Sequence, residues 1–149
     1  MLITFVDDLG VAAEHEDEVD RLIVELEKMG FVLTKEGTFA EFLGIQHNKT
    51  DNHEFTLTQQ GLIDKILTST DMQDCRPNHL PTAQTTLSSD PEGEPMCEEW
   101  NMKSIVGMLL YLSGNTRPDI AFAVSQVCRF TVNPKQSHAT AVKTIIRYL

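Results

Sequence analysis

Between Thr70 and Glu99 neither a helical nor a strand period survives, and this break limits the possible folds more than any other feature. Four of the chain's six prolines lie here (Pro77, Pro81, Pro91 and Pro95), with Ser88-Ser89-Asp90 and Gly93 between them. Proline removes a backbone donor and fixes φ, so repeated prolines rule out both helix and central strand. A loop of this length is uncommon inside a compact domain and usually marks a boundary. The spacing therefore predicts three parts: a mixed segment over 1–69, a Pro-rich linker or extended loop crossing a surface over 70–99, and a helical segment over 100–149. The 149 residues suffice for one domain with a buried core.

Before the break, strand and helix signals alternate. Leu2–Val6 and Leu9–Ala13 are short apolar runs around Asp7-Asp8, which predicts a hairpin with the two acids at its turn. Val19, Leu22, Ile23 and Leu26 recur at helical spacing within Glu14–Met29. Acids crowd the first turn of that helix, where the backbone dipole favours them, and Gly30 ends it. Strands are expected over Phe31–Thr34 and Phe39–His47, with Gly37 turning between them. Asn48–Asn52 reads as a polar turn and Glu54–Leu57 as a strand. Thr58 is then placed to cap a helix over Gln59–Leu67.

After the break the pattern is helical throughout. Ile105, Met108, Leu109 and Leu112 define a helix over about 101–113. A second helix follows Asn115-Thr116-Arg117-Pro118, with Pro118 or Asp119 in its first turn. A third runs from about Pro134 to Leu149, and the sequence stops inside its pattern, so the chain reads as cut. The fold class is α+β.

Charge divides the chain along the same line. Residues 1–74 hold 16 Asp/Glu against 5 Lys/Arg, and residues 75–149 hold 6 against 7. Bulk electrostatics therefore oppose nucleic-acid binding by the first half, since phosphate contacts come from clustered cations. Only the last third, with Asp119 as its one acid after Trp100, has the right sign. Cys75, Cys97 and Cys128 are odd in number and widely spaced, which predicts free thiols. His15, His47, His53, His79 and His138 show no ligand spacing. No apolar run approaches the roughly 20 residues of a membrane span, and no signal peptide is recognisable. The expected location is intracellular, cytoplasmic or nuclear, with no membrane partner.

Asp7 and Asp8 are the most chemical feature. Adjacent carboxylates on a rigid hairpin can hold the divalent ions of two-metal phosphoryl transfer. Asp is also an ordinary turn residue that bonds its own backbone, so the pair alone leaves both readings open.

The surroundings of the pair resemble the reverse transcriptase of copia-type retrotransposon polyproteins. Phe5-Val6-Asp7-Asp8 is similar to the aromatic-x-Asp-Asp box of that family, and Phe42-Leu43-Gly44-Ile45 to a later strand. Phe55–Gln60, Ser104–Leu112, Asn115–Ile120 and His138–Leu149 follow in the family's order. The resemblance implies a palm-type β-hairpin or sheet with a packed helix, then an all-α thumb and connection region. It implies that Asp7 and Asp8 are catalytic metal ligands for Mg²⁺ or Mn²⁺, Asp7 the more direct. It implies nucleic-acid contact at Phe5, Val6, Leu43 and Gly44, and offers Arg117 as a phosphate contact. Gly44 is read equally as a simple bulge, and Arg117 as a cap on helix carbonyls.

The implied partners are an RNA or DNA template-primer, dNTP, an upstream fingers and palm segment, and a downstream ribonuclease H domain. The family's third carboxylate and nucleotide-binding residues lie upstream of the box, which here starts about four residues into the chain. The expectation is a polymerase fragment, inactive alone. The alternative is a standalone remnant, repurposed as a nucleic-acid-binding or protein-interaction module. Phe5 stands where the family often has tyrosine, and Ala83 where proline often follows Pro-Thr.

Overall fold

The computed structural model describes residues 1–35, 41–49, 54–82 and 86–149. The expected turn at Gly37, the start of the Phe39 strand, His53 and Ala83 lie outside them. The described chain mixes helix and sheet and divides into two compact units, Met1–Leu43 and Gly44–Leu149.

In the first unit, β1 (Leu2–Phe5) and β2 (Asp8–Val11) form an antiparallel hairpin. Its register pairs Phe5 with Asp8, Thr4 with Leu9, Ile3 with Gly10 and Leu2 with Val11. The loop is therefore Val6-Asp7, one residue earlier than the Asp7-Asp8 turn expected from sequence, and Asp8 begins β2. A two-residue loop closes most tightly when a turn residue takes positive φ, and Val6 does so at 50°.

Helix α1 (Glu16–Lys28) follows, with Val19, Leu22, Ile23 and Leu26 half-buried along one stripe. Its end is a Schellman motif: Gly30 takes φ 95°, its N–H donates to Glu27 O at 3.0 Å, and Phe31 N–H donates to Leu26 O at 3.2 Å. Past this exit, Phe31–Thr34 is not a strand, contrary to the apolar run. A strand exists only by pairing, and no described segment pairs with these residues. A short β3 (Glu41–Phe42) ends the unit.

The second unit opens with the antiparallel pair β4 (Ile45–Lys49) and β5 (Phe55–Thr58), in which Lys49 faces Phe55. Asn48 and Lys49, expected in a turn, belong to β4. Helix α2 (Gln60–Ser69) starts after Gln59, and Thr58 does not cap it. The Thr58 hydroxyl donates instead across the hairpin to Gln46 Oε1 at 3.2 Å. Asp71 ends α2 at φ 53°, with Met72 N–H donating to Leu67 O at 2.9 Å.

Helix α3 (Met102–Asn115) is capped by Asn101, whose side chain accepts from Ser104 N–H at 3.0 Å. A 3₁₀ turn (Pro118–Ile120) leads into α4 (Ala121–Cys128). Helix α5 (Gln136–Ile146) stops three residues before Leu149, shorter than its apolar pattern implied.

These helices enclose the core: Ile66 from α2, Ile105, Leu109 and Leu112 from α3, Val124 and Val127 from α4, and Val142, Ile145 and Ile146 from α5 are all buried. The described residues of the first unit bury only Gly10.

The unit boundary thus falls after Leu43, whereas the Pro-rich stretch suggested 69/70. The apolar stripe of α2 needs a face, and α3 supplies it. The Pro-rich stretch is itself tied down. Met72 is buried, and Leu87, Met96 and Trp100 pack on the core. Met96 N–H donates to Pro134 O at 3.2 Å, and Gln136 N–H to Glu94 O at 2.9 Å.

Candidate active-site hairpin

The β1–β2 hairpin brings Phe5, Val6, Asp7 and Asp8 together at one tip, and all four are exposed. Positive φ is a genuine outlier for a β-branched residue, because its branched Cβ crowds the backbone. Val6 is 88% exposed, so no packing contact explains why it stands there. Strain of this kind amounts to about 1–3 kcal/mol per residue. Its consequence is a tight reversal that sets Asp7 in the turn and Asp8 directly across from Phe5.

Among the described residues neither carboxylate has a hydrogen bond or ion pair, so neither is consumed in holding the turn. Hard carboxylate oxygens of this kind suit Mg²⁺ or Mn²⁺. The pair is an incomplete set, since the described residues contain no group of three or more His, Cys, Asp or Glu side chains able to hold an ion together.

Leu43 and Gly44 form a separate backbone reversal, with φ of 53° and 72°. Two successive positive values cannot continue a strand, so the expected Phe42–Ile45 strand is broken by a turn. A Cβ built on Gly44 meets nothing within 4 Å. Glycine suits this position through its φ, then, and no close neighbour requires it.

Arg117 lies in the helical unit and is committed there. Its Nε donates to Asp119 Oδ1 at 3.0 Å and its Nη2 to Asp119 Oδ2 at 2.8 Å, a two-pronged pair. Its guanidinium also sits 5.3 Å from the centre of the Tyr148 ring. The Arg117 guanidinium holds the Asp119 carboxyl below the usual carboxylate range, against an opposing effect of burial.

The neighbouring Thr116 hydroxyl donates to Oε1 of buried Gln59 at 2.9 Å, and Asn115 Nδ2 donates to Tyr111 O at 2.7 Å. The Asn115–Ile120 motif is therefore a joint between the start of α2, the end of α3 and the end of α5. Sequence reasoning did not assign this role, because Gln59 and Tyr148 meet the motif only in three dimensions.

The other C-terminal cations are largely engaged as well. Lys143 pairs with Glu98 at 2.7 Å, Lys135 Nζ donates to Gly93 O at 2.8 Å, and Arg129 Nη2 to Leu87 O at 3.1 Å. His138 is fully buried and stacked on Phe130, with ring centres 4.3 Å apart. Its Nδ1 accepts from Lys135 N–H at 2.9 Å, which leaves Nε2 to donate to Ser88 O at 2.8 Å. The three cysteines are free thiols. No described helix is long and apolar enough to cross a membrane.

The homologues of this chain include the Pol polyproteins of copia-type retrotransposons, which align with nearly its whole length. It is 32% identical over 156 residues to the Retrovirus-related Pol polyprotein from transposon TNT 1-94 of Nicotiana tabacum, an alignment covering all of this chain and 12% of that protein. It is 28% identical over 148 residues to a protein assigned to transposon Ty5-1 in Saccharomyces cerevisiae, covering 99% of this chain and 48% of the relative. An uncharacterized mitochondrial protein of Arabidopsis thaliana is 32% identical over 148 residues, 60% of its length. The chain therefore spans less than two thirds of each of these relatives. No family model and no solved structure matches it.

Proposed function

We propose that this chain is part of a retrotransposon RNA-directed DNA polymerase, and that its β1–β2 hairpin presents Asp7 and Asp8 as two carboxylates of the polymerase metal site. The observation that carries this reading is the strained Val6-Asp7 reversal, which displays two adjacent carboxylates with no described protein partner. A turn kept only for chain reversal favours glycine or asparagine at its positive-φ position, and this one holds valine. Alignment with Pol polyproteins over the whole chain supports the same reading.

On this account β1, β2 and α1 form part of a palm, and α2–α5 a thumb and connection region. Asp7 and Asp8 would hold Mg²⁺ or Mn²⁺. Bound metal would activate the primer hydroxyl and stabilise the leaving pyrophosphate. Phe5 and Val6 flank the carboxylates on the exposed tip and would border the primer end, with the Leu43-Gly44 turn as a second contact. Template-primer and dNTP would be bound together with the flanking polyprotein segments, which also supply the further carboxylate, with a ribonuclease H domain beyond. The chain by itself would not polymerise, because two carboxylates without a third hold metal weakly. The setting would be intracellular.

The test is primer extension by the complete polymerase that contains this segment. Asp7→Asn is expected to abolish extension while the protein stays folded. Undiminished extension by that variant refutes the role given to Asp7.

A further inference from the structure

His138 closes a seam between the Pro-rich stretch and the start of α5. Met96 N–H donates across it to Pro134 O at 3.2 Å, and Gln136 N–H to Glu94 O at 2.9 Å. Lys135 N–H donates to the imidazole Nδ1 of His138 at 2.9 Å. The other ring nitrogen, Nε2, reaches Ser88 O at 2.8 Å. The ring is fully buried and lies flat on Phe130, with 6° between the two planes.

Only a neutral ring fits this arrangement. The lone pair of Nδ1 is used in accepting the Lys135 N–H, and a proton placed there would set two donors against each other. Burial sharpens the conflict, because a charged ring gives up its water in the core.

The charged side chains on the elements around the ring do not offset it. In the Pro-rich stretch Asp90 accepts from Ser137 and Glu98 pairs with Lys143, while Glu92, Glu94 and Glu99 are exposed. Before Phe130, Arg129 donates to Leu87 O and Gln126 Oε1, and its guanidinium lies 5.1 Å from the Phe130 ring centre. The aromatic ring that His138 stacks on therefore already has a cation beside it. At the start of α5, Lys135 Nζ donates to Gly93 O.

We propose that His138 is a proton-operated latch on this seam. Proton uptake by the ring and closure of the seam exclude each other. A ring that takes a proton leaves its place, and Lys135 N–H and Ser88 O lose their partner together. Acid in the range where imidazole titrates thus parts the Pro-rich stretch from the start of α5. Imidazole in water takes up its proton near about pH 6.5, well above the carboxylate range, so the latch acts separately from the acid response of Glu98 and Asp119.

Hydrogen exchange of the Met96, Lys135 and Gln136 amides in the intact chain tests this, corrected for the intrinsic exchange rate. With one proton taken up per opening, the opening equilibrium is expected to rise about tenfold from about pH 7.5 to about pH 5.5. His138→Gln keeps an acceptor for Lys135 N–H at the same helical position and takes no proton, so its opening should stay flat. Nitrogen chemical shifts of the wild-type imidazole at about pH 7.5 should show the proton on Nε2 and none on Nδ1. A proton on Nδ1 at that pH overturns the proposal, as does flat exchange in wild type or an equal rise in both chains. Where the glutamine variant does not fold, the wild type decides alone. Ring protonation followed by the same shifts must then track the rise in exchange, and a ring that takes its proton while the three amides stay protected overturns the latch. None of these results bears on the role of Asp7 in primer extension, so the two readings fail separately.

Discussion

Replacing Asp119 by alanine should destabilise the helical unit through Arg117. The wild-type pair is two-pronged and only partly solvated, with side chains 26% and 38% exposed for Arg117 and Asp119. Fully exposed pairs contribute about 0.2–1 kcal/mol, whereas removing one partner of a buried pair costs about 3–5 kcal/mol. At this intermediate exposure screening removes most of the upper figure, and the expected loss is about 1–2 kcal/mol. In a unit of this size each kcal/mol lowers Tm by about 4–8 °C. Thermal and urea unfolding of wild type, Asp119→Ala, Arg117→Met and the double variant would give the coupling energy. The double variant should be less destabilised than the sum of the singles, because it leaves no unpaired cation beside Tyr148. Single variants within about 0.3 kcal/mol of wild type, with no coupling, refute the structural role. Arg117 would then be free for the phosphate contact that the family resemblance offers.

Acid should weaken the same unit. Arg117 depresses Asp119, and Lys143 followed by Gln136 depresses Glu98. Both carboxyls bind protons less readily folded than unfolded, so their contribution is complete above the ordinary carboxylate range. It is lost as pH falls through and below about 4. Urea midpoints measured from pH 6 down to pH 3 should fall in wild type and more shallowly in Glu98→Gln. Gly93→Ala would drive a Cβ to 2.2 Å from the Asp90 carboxylate, displacing it from Ser137, which donates to it at 2.6 Å. The expected cost is about 1 kcal/mol by urea unfolding. Thiol titration should modify exposed Cys97 first. Cys128 should react slowly, because burial pushes its thiol up as well as limiting access. Val6→Gly should relieve strain at the tip and slow hydrogen exchange across β1–β2, since Val6 packs against nothing.

Helices were the most legible part of the fold. The Val19–Leu26 stripe with Gly30 after it, and the Ile105–Leu112 stripe after Asn101, combine periodicity with local stop or cap chemistry. What failed depended on partners far away in sequence. Phe31–Thr34 has strand composition and no strand beside it. The prolines at 77–95 left a linker and a loop crossing a surface both open, and only residues far along the chain (Gln136, Lys135 and Lys143) hold this stretch against α5. Thr58 had the composition of a cap and is used as a cross-strand partner of Gln46.

The candidate site was legible as a pair, Asp7 and Asp8, but not in its register. Asp-Asp reads as the turn until the pairing of Phe5 with Asp8 moves the loop to Val6-Asp7. Sequence gives no local sign that valine will adopt positive φ, because that is imposed by the two strands closing on a two-residue loop.

Mn²⁺ titration of the chain with amide line broadening reads out whether the hairpin tip holds metal through its pair of carboxylates. Selective broadening of residues 5–9 is expected at weak, roughly millimolar affinity, reversed by excess Mg²⁺ and lost in Asp7→Asn with Asp8→Asn. Broadening centred elsewhere, or unchanged in the doubly substituted chain, would contradict it and leave Asp7-Asp8 as a turn.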